Sequence, residues 1–322
     1  MNGMARYLVT GAAGFIGSSL CRTLIARGDE VRGIDNFITG RRENVAGLQE
    51  SMDFREVDIL DPAALAEAMR GIDYVLHQAA LASVPRSVKD PVTSHRNNVD
   101  GTLNVLLAAR EGGVKRVIFA GSSSVYGDAP TLPKHEDMVP NPLSPYAVQK
   151  LTGEYYLSAF YKVYGLETVS LRYFNVFGPF QDPGSMYSGV LAKFSMKMLA
   201  GEKPTIDGDG EQSRDFSYIA NSVRANLLAC EAPAEKVAGK VFNIATGRRI
   251  TLNETVKMLR ELTGYDGEIA YGPPRAGDVK HSLADISRAR EAFGYEPLVQ
   301  FQEGLAETVK WYREQAKTEL ST

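Results

Sequence analysis

Short apolar runs alternate with stretches in which apolar positions recur every three or four residues through the first half of the chain. RYLVTG is a β-rich run, and FIGSSLCRTLIARG carries apolar residues at helical spacing up to a terminating Gly28. EVRGID reads as a second strand, MDFREVDI as a third, and ALAEAMRG as a short helix. YVLHQAA, a helix from about Asn98 to Glu111, RVIFAGSS, a helix from about Pro145 and ETVSLRYFNVFG continue the alternation. Strands alternating with helices of this length predict parallel βαβ units, hence an α/β fold built on a doubly wound parallel sheet.

After about Phe177 the character changes. GPFQDPGSMYSG is rich in Gly, Pro and small polar residues, a helix follows around LAKFSMKMLAG, and DGDGEQS and YGPPRAGD read as turns. The pattern predicts a first lobe over 1–175 and a smaller α/β lobe over 176–322. The helical stretch from Tyr218 to Cys230 is expected to return to the first lobe, so that about 215–246 packs against it. The polar tail after Trp311, YREQAKTELST, is expected to fray.

Composition narrows the classes. The 322 residues are 44% hydrophobic and 23% charged, ordinary for a soluble globular protein. The 36 basic and 39 acidic residues nearly cancel and no basic block stands out, which argues against nucleic acid as a partner. Cys21 and Cys230 give no disulfide framework and fit a reducing cytoplasm. The four histidines, His77, His95, His135 and His281, do not fall at metal-ligand spacing. The N-terminus runs straight into a strand pattern without a charged leader, and no apolar stretch reaches the ~18 residues of a membrane span, so neither secretion nor a membrane is expected.

Candidate chemistry begins at GAAGFIG, with Gly11, Gly14 and Gly17 enclosing Phe15 and Ile16. It follows a strand and opens a helix, where backbone N–H groups can approach a pyrophosphate. The spacing is G-x-x-G-x-x-G, and a glycine turn also serves close packing. Asp35 and Asn36 end the second strand; a carboxylate there accepts hydrogen bonds from ribose hydroxyls and repels a 2′-phosphate, which favours NAD over NADP. Arg41 and Arg42 keep NADP open. Asp58 and Ile59 of VDILD follow the next strand, where an adenine could sit, although Asp58 reads equally well as a loop carboxylate.

SPYAVQK places Tyr146 and Lys150 on one helix face. An ammonium lowers the pKa of a nearby phenol, and a cationic nicotinamide lowers it further, giving a tyrosine able to exchange protons during hydride transfer at an alcohol carbon. Such a pair also arises by chance. The run Ser122, Ser123, Ser124 of AGSSSVYG supplies hydroxyls after a strand.

The glycine turn, the serine run and Y-x-x-x-K, in this order, resemble the extended short-chain dehydrogenase/reductase family, in its nucleotide-sugar epimerase branch. The resemblance covers essentially the whole chain. It implies a Rossmann-type NAD lobe and a second lobe for a UDP-sugar, with Tyr146 as catalytic acid/base and Lys150 also holding the nicotinamide ribose. Counting back four residues from Tyr126 places the family's catalytic serine at Ser122, within one or two positions. Ala79, Ala80, Asn98 and Tyr173 match positions lining the cofactor. Asn175 would touch the sugar diphosphate, Arg214 and Arg275 would bind it, and Asp278 would hold the uridine ribose. Isolated arginines are more often solvated surface residues. The serine run carries no carboxylate where the dehydratase relatives have Thr-Asp-Glu, so the resemblance implies 4-epimerisation: transient C4 oxidation to a 4-keto sugar, then hydride return to the opposite face. The family pairs the Asn98–Glu111 helix with the Tyr146 helix in a homodimeric four-helix bundle. Val99, Leu103, Leu106, Leu107, Val148, Leu151, Tyr155 and Phe160 place apolar residues on several faces of these two helices.

One stretch, DVKHSLAD at 278–285, holds Asp, His and Ser within five residues. Adjacent residues point to opposite faces of a strand, so His281 and Ser282 do not form a nucleophilic pair. By resemblance, Ser282 occupies the pocket wall beside the sugar's C2 substituent, where a small residue leaves space for an N-acetyl group. With Ser83, Ser124, Gln181, Gly189 and Val190, it is similar to the pattern of epimerases that prefer UDP-GlcNAc and UDP-GalNAc. A serine satisfying local backbone groups is the competing reading. UDP-glucose/UDP-galactose and UDP-glucuronate 4-epimerisation stay open, and a non-catalytic NAD-binding regulator is disfavoured because Tyr146, Lys150 and the serines are all present.

Overall fold

The computed structural model describes residues 4–182, 189–274 and 280–319. The apolar runs become a seven-stranded sheet: β1 (Arg6–Thr10), β2 (Glu30–Asp35), β3 (Asp53–Glu56), β4 (Tyr74–His77), β5 (Arg116–Ser122), β6 (Glu167–Tyr173) and β7 (Lys240–Ile244). Their order in space is β7-β6-β5-β4-β1-β2-β3, and every pairing is parallel. The strand order reverses between β1 and β4, and in such sheets the crevice beyond the carboxyl ends at that point is where ligands bind. The predicted doubly wound α/β fold is the one observed.

Helices cover both faces: α1 (Phe15–Arg27), α2 (Pro62–Met69), α3 (Gly101–Glu111), α4 (Pro145–Tyr164) and α6 (Ile219–Glu231), with α5 (Val190–Leu199), α7 (Leu252–Thr263) and α8 (Phe301–Glu319) in the smaller lobe. Local signals set their ends. Gly28 takes φ 87° and closes α1 by donating to Ile25 and Leu24 carbonyls. Ser144 caps α4 by accepting from the Ala147 N–H, and Pro145 opens it. The helix predicted from Asn98 starts earlier: Pro91–His95 and a π-helical turn over Arg96–Asp100 lead into α3.

Two apolar clusters sandwich the sheet, one built around Val9, Leu20, Leu171 and Phe242, the other around Leu8, Val75, Phe119 and Leu157. α6 packs against α1 and the sheet. Arg116, 1% exposed, fastens its end by donating through Nη1 to the carbonyls of Ala229 (2.7 Å), Cys230 (2.9 Å) and Ala232 (2.8 Å). These are the orphan carbonyls that a helix C-terminus leaves unpaired. The smaller lobe has its own core, with Phe177, Phe194, Phe216 and Phe301 together. The helix does not end at Trp311: α8 continues to Glu319, with Tyr312 buried and its hydroxyl donating to the Gln181 carbonyl at 2.9 Å, and the last three residues of the tail lie outside the described residues. Among the described residues no helix is long and apolar enough to cross a membrane.

Candidate active site

The cleft at the sheet's switch point holds a cavity of about 580 Å³ whose floor is the glycine turn. Gly11 has φ 69°, and a Cβ there would stand 2.8 Å from the Ala79 nitrogen; one on Gly17 would stand 2.0 Å from the Gly11 carbonyl. Both glycines are thus required by backbone proximity. α1 begins at Gly14 without a side-chain cap, so its first-turn N–H groups are available to an anion. Asp35 is buried, its oxygens accepting from Ala13 N (2.9 Å) and Phe37 N (2.7 Å), and burial raises its pKa against those hydrogen bonds. Arg41 is engaged by Glu43 and Asp182, and Arg42 by Glu56 at 3.0 Å, so the nearby cations already have carboxylate partners. This donor set fits NAD: helix N–H groups for the pyrophosphate, Asp35 for the ribose hydroxyls, and the Ile59 and Ala79–Ala80 walls for the rings.

Phe15, Ile16 and Asn36 also line this cavity. Asp58 stands one layer back, accepting from Asn36 Nδ2 (3.0 Å) and Leu60 N (2.8 Å). Asn98 is buried beneath the cleft, accepting from Leu81 N (2.7 Å) and donating to Gln149 Oε1 (2.8 Å), so it shapes the turn after Ala80. Sequence reasoning missed Phe180, which walls the cavity at φ 69° with Arg22 4.1 Å above its ring and Trp311 5.3 Å away. Its partners lie far along the chain, and no local pattern marks it.

Ala82 joins this cavity to a second of about 930 Å³. Ser122, at the end of β5, accepts from Ser124 N (3.2 Å) and Ser124 Oγ (2.9 Å), which ties two hydroxyls of the run together. Ser123 faces the same cavity. Tyr146 is fixed in the first turn of α4, its N–H donating to Ser87 Oγ at 3.0 Å. Burial pushes its phenol up to about 12, and the hydrogen bond with Ser122 opposes that shift. Ser122, Ser123 and Ser124 all line the cavity beside the phenol. Lys150 is buried, 5.9 Å from the Tyr146 ring centre, and donates to the Ala120 carbonyl at 2.8 Å. Burial brings its ammonium down to about 8, with Glu154 opposing. Tyr173 lines the cavity and is held by Asn226 (2.7 Å) and Gln78 (3.4 Å).

On the far wall Asn175 has φ 36°, a left-handed conformation that asparagine tolerates, and donates to the Asp215 carbonyl (3.2 Å) and to Ser282 Oγ (3.5 Å). Ser83 caps the Val84–Lys89 helix by accepting from Arg86 N. Gln181, Gly189 and Val190 close the same cavity, Gly189 at the uncapped start of α5. Arg214 donates to the Ser213 (3.0 Å) and Lys280 (3.1 Å) carbonyls from its place in the wall. Arg275 and Asp278 lie outside the described residues. His281 shares a hydrogen bond with Ser213 Oγ at 2.9 Å, not with Ser282, and Ser282 N donates to the Ser213 carbonyl at 3.0 Å. Residues 280–285 thus form an extended segment along the wall, bridged to Ser213 and Lys134, and their His and Ser do not pair. Lys134, only 3% exposed, also lines this cavity, its ammonium donating to the Ala129 carbonyl. A lysine in a polar loop carries no sequence signal for such a position.

The chain matches the family described as NAD dependent epimerase/dehydratase over residues 7–245. It is 40% identical over 318 residues to a UDP-glucose 4-epimerase of Mycolicibacterium smegmatis, covering 97% of this chain and 100% of that protein. The solved UDP-glucose 4-epimerase of Thermotoga maritima with UDP-glucose superposes with TM-score 0.91 at 42% identity, covering 97% and 99% of the two chains. The UDP-N-acetylglucosamine 4-epimerase of Methanobrevibacter ruminantium M1, in complex with UDP-N-acetylmuramic acid, gives TM-score 0.92 at 42% identity and the same coverage. With the glycine turn, the buried Asp35 and the Tyr146–Lys150–Ser122 cluster at one cleft, the chain belongs to the NAD dependent epimerase/dehydratase family, as an enzyme of the epimerase type that uses NAD.

Proposed function

We propose that this enzyme inverts C4 of a UDP-hexose and prefers UDP-GlcNAc and UDP-GalNAc. The observation that carries the preference is Ser282: a small side chain on the cavity wall, within reach of Asn175, where a bulkier one would narrow the space. NAD, when bound, supplies the hydride acceptor and a positive charge that favours tyrosinate. Tyr146 takes the O4 proton as C4 is oxidised and returns it after the sugar has turned over. Ser122, on the same cavity as the phenol, would pass that proton. Lys150 steadies the phenolate and would hold the nicotinamide ribose. The serine run carries hydroxyls alone, without the carboxylate that eliminating water would need at that place. Residues 1–175 with the returning 215–246 segment would bind NAD, and the remainder the nucleotide sugar, Arg214, Arg275 and Asp278 among its ligands.

A second reading has its own observation. Lys134 places a buried cation at the same cavity, a partner that a C6 carboxylate would want, and favours a UDP-uronate such as UDP-glucuronate. Nuclear magnetic resonance time courses of the purified enzyme on UDP-GlcNAc, UDP-glucose and UDP-glucuronate separate the readings. Faster C4 inversion of the acetylated sugar supports the first. Exclusive turnover of the uronate replaces it with the second. Accumulating 4-keto or deoxy sugar would refute epimerisation.

We also propose a homodimer through α4 and its neighbours. Val148 (48%) and Tyr155 (62%) of α4 are exposed alongside Val88 (64%) and Val92 (69%), an apolar face that a second copy would cover. Sedimentation at micromolar concentration should give twice the 35.2 kDa monomer mass.

A further inference from the structure

α4 carries a third ionisable group one turn beyond Lys150. Glu154 is 3% exposed, and Arg172 of β6 is equally buried. The guanidinium grips the carboxylate from two sides, with Nε to Oε1 at 2.9 Å and Nη2 to Oε2 at 2.7 Å. A buried ion pair is a weak source of stability, because desolvating both charges offsets their attraction. An apolar pair would serve packing as well. The place of this one, between the sheet and the Tyr146–Lys150 face, asks for another reason.

We propose that Glu154, held by Arg172, is a positioning residue for the catalytic pair: its buried carboxylate keeps Lys150 a cation directed at the Ala120 carbonyl. This rests on the assignment of Tyr146 and Lys150 to the proton-transfer step. The surroundings of Lys150 leave few alternatives for that task. Phe119 of β5 presents its ring 4.8 Å from Nζ. His77 of β4 is buried between Thr10 (2.8 Å) and Thr102 (3.0 Å), and burial, helped by Lys150, lowers it to about 3, so it is neutral. Burial pushes the Tyr146 phenol up to about 12 before any cofactor charge acts on it, so on its own it offers Lys150 no negative partner. Glu154 supplies the opposing influence that raises Lys150 against burial. Arg172 has its own restraints: it lies 4.8 Å from the Tyr126 ring centre and interacts with Glu136 beyond. Burial raises the Glu154 carboxyl, and the Arg172 guanidinium that binds both its oxygens opposes this.

The sign follows. Without the carboxylate, Lys150 loses its proton at lower pH. The test uses lysine labelled with ¹³C and ¹⁵N in the NAD-loaded enzyme and follows the Lys150 Cε–Nζ resonances against pH, a readout needing no turnover. Glu154→Gln should lower the Lys150 midpoint by about one pH unit or more, as loss of an opposite charge at this range does. Glu154→Asp should restore it. The alkaline limb of kcat/KM for the turned-over UDP-sugar should shift by the same amount. If Glu154→Gln does not fold, Glu154→Gln/Arg172→Leu removes both charges and should move the midpoint in the same direction. An unmoved midpoint in either folded variant overturns the proposal. If the wild-type enzyme inverts no UDP-sugar, the function reading fails, while the resonance midpoint still decides the role of Glu154.

Discussion

The amide of Asn175 donates to the hydroxyl of Ser282 at 3.5 Å, joining the end of the sheet to a wall segment contributed more than a hundred residues later. Ser282 is therefore held on both sides, by that amide and by its own N–H to the Ser213 carbonyl at 3.0 Å. Ser282→Tyr should keep the backbone contact to Ser213 and fill the cavity. Turnover of UDP-GlcNAc is expected to fall at least tenfold while UDP-glucose stays within about threefold, the size that one misfitted pocket group commands. Parallel kinetics on the two sugars check it, and equal losses would remove Ser282 from the substrate gate.

Tyr146→Phe removes the proton carrier and leaves the cofactor cleft intact. Epimerisation should drop by about 10²–10⁴-fold, the usual worth of a positioned acid/base. Bound NAD, measured by absorbance after denaturation, should stay at the wild-type level. An active variant would refute the assigned role.

Lys134→Met tests the acidic-sugar reading. If the buried ammonium receives a carboxylate, kcat/KM for UDP-glucuronate should fall by about tenfold or more, with UDP-glucose and UDP-GlcNAc little changed. Equal effects on all three sugars would make Lys134 a structural residue of the 126–134 loop.

Asp215 gives a pH dependence to stability. It is fully buried and receives Thr246 N (2.9 Å), Thr246 Oγ1 (2.7 Å), Gly247 N (3.1 Å) and Ala284 N (3.2 Å). Burial still pushes it up to about 6, above the ordinary 3.8. The fold thus prefers the protonated acid, so the stability this group lends is complete below about pH 4 and lost as pH rises through about 6. The swing is about 3 kcal/mol for a two-unit shift. Melting temperatures of wild type and Asp215→Asn between pH 4 and 7 should converge, or cross, as pH rises, because the asparagine has nothing to ionise there. Parallel curves would contradict this.

Much of the fold and half of the site could be read from sequence because their causes are local. Apolar runs of strand length, the Ser144–Pro145 start of α4 and the Gly11 turn each state their structure within a few residues. Tyr146 and Lys150 share a helix face by spacing alone. What escaped is what the fold brings together from afar. Glu154 reads as one more charge on a helix until β6 lays Arg172 against it. Phe180 looks like loop filler until Arg22 and Trp311 close on it. The polar tail after Trp311 gave no sign that Tyr312 would be buried and hold α8 in place.

The placing of β7 has a consequence for how the protein is made. β7 pairs with β6 through Lys240–Ile244, yet it is translated only after the Asn175 turn, α5 and α6. At synthesis rates of ~5–20 residues per second, the nascent chain carries β6 for several seconds with an unpaired strand edge. Such an edge is a template for pairing with other chains. The last strand of the sheet to arrive is therefore the one that covers the edge of β6, becoming the outer strand itself, and truncations that stop short of Lys240 should aggregate more readily than the full chain.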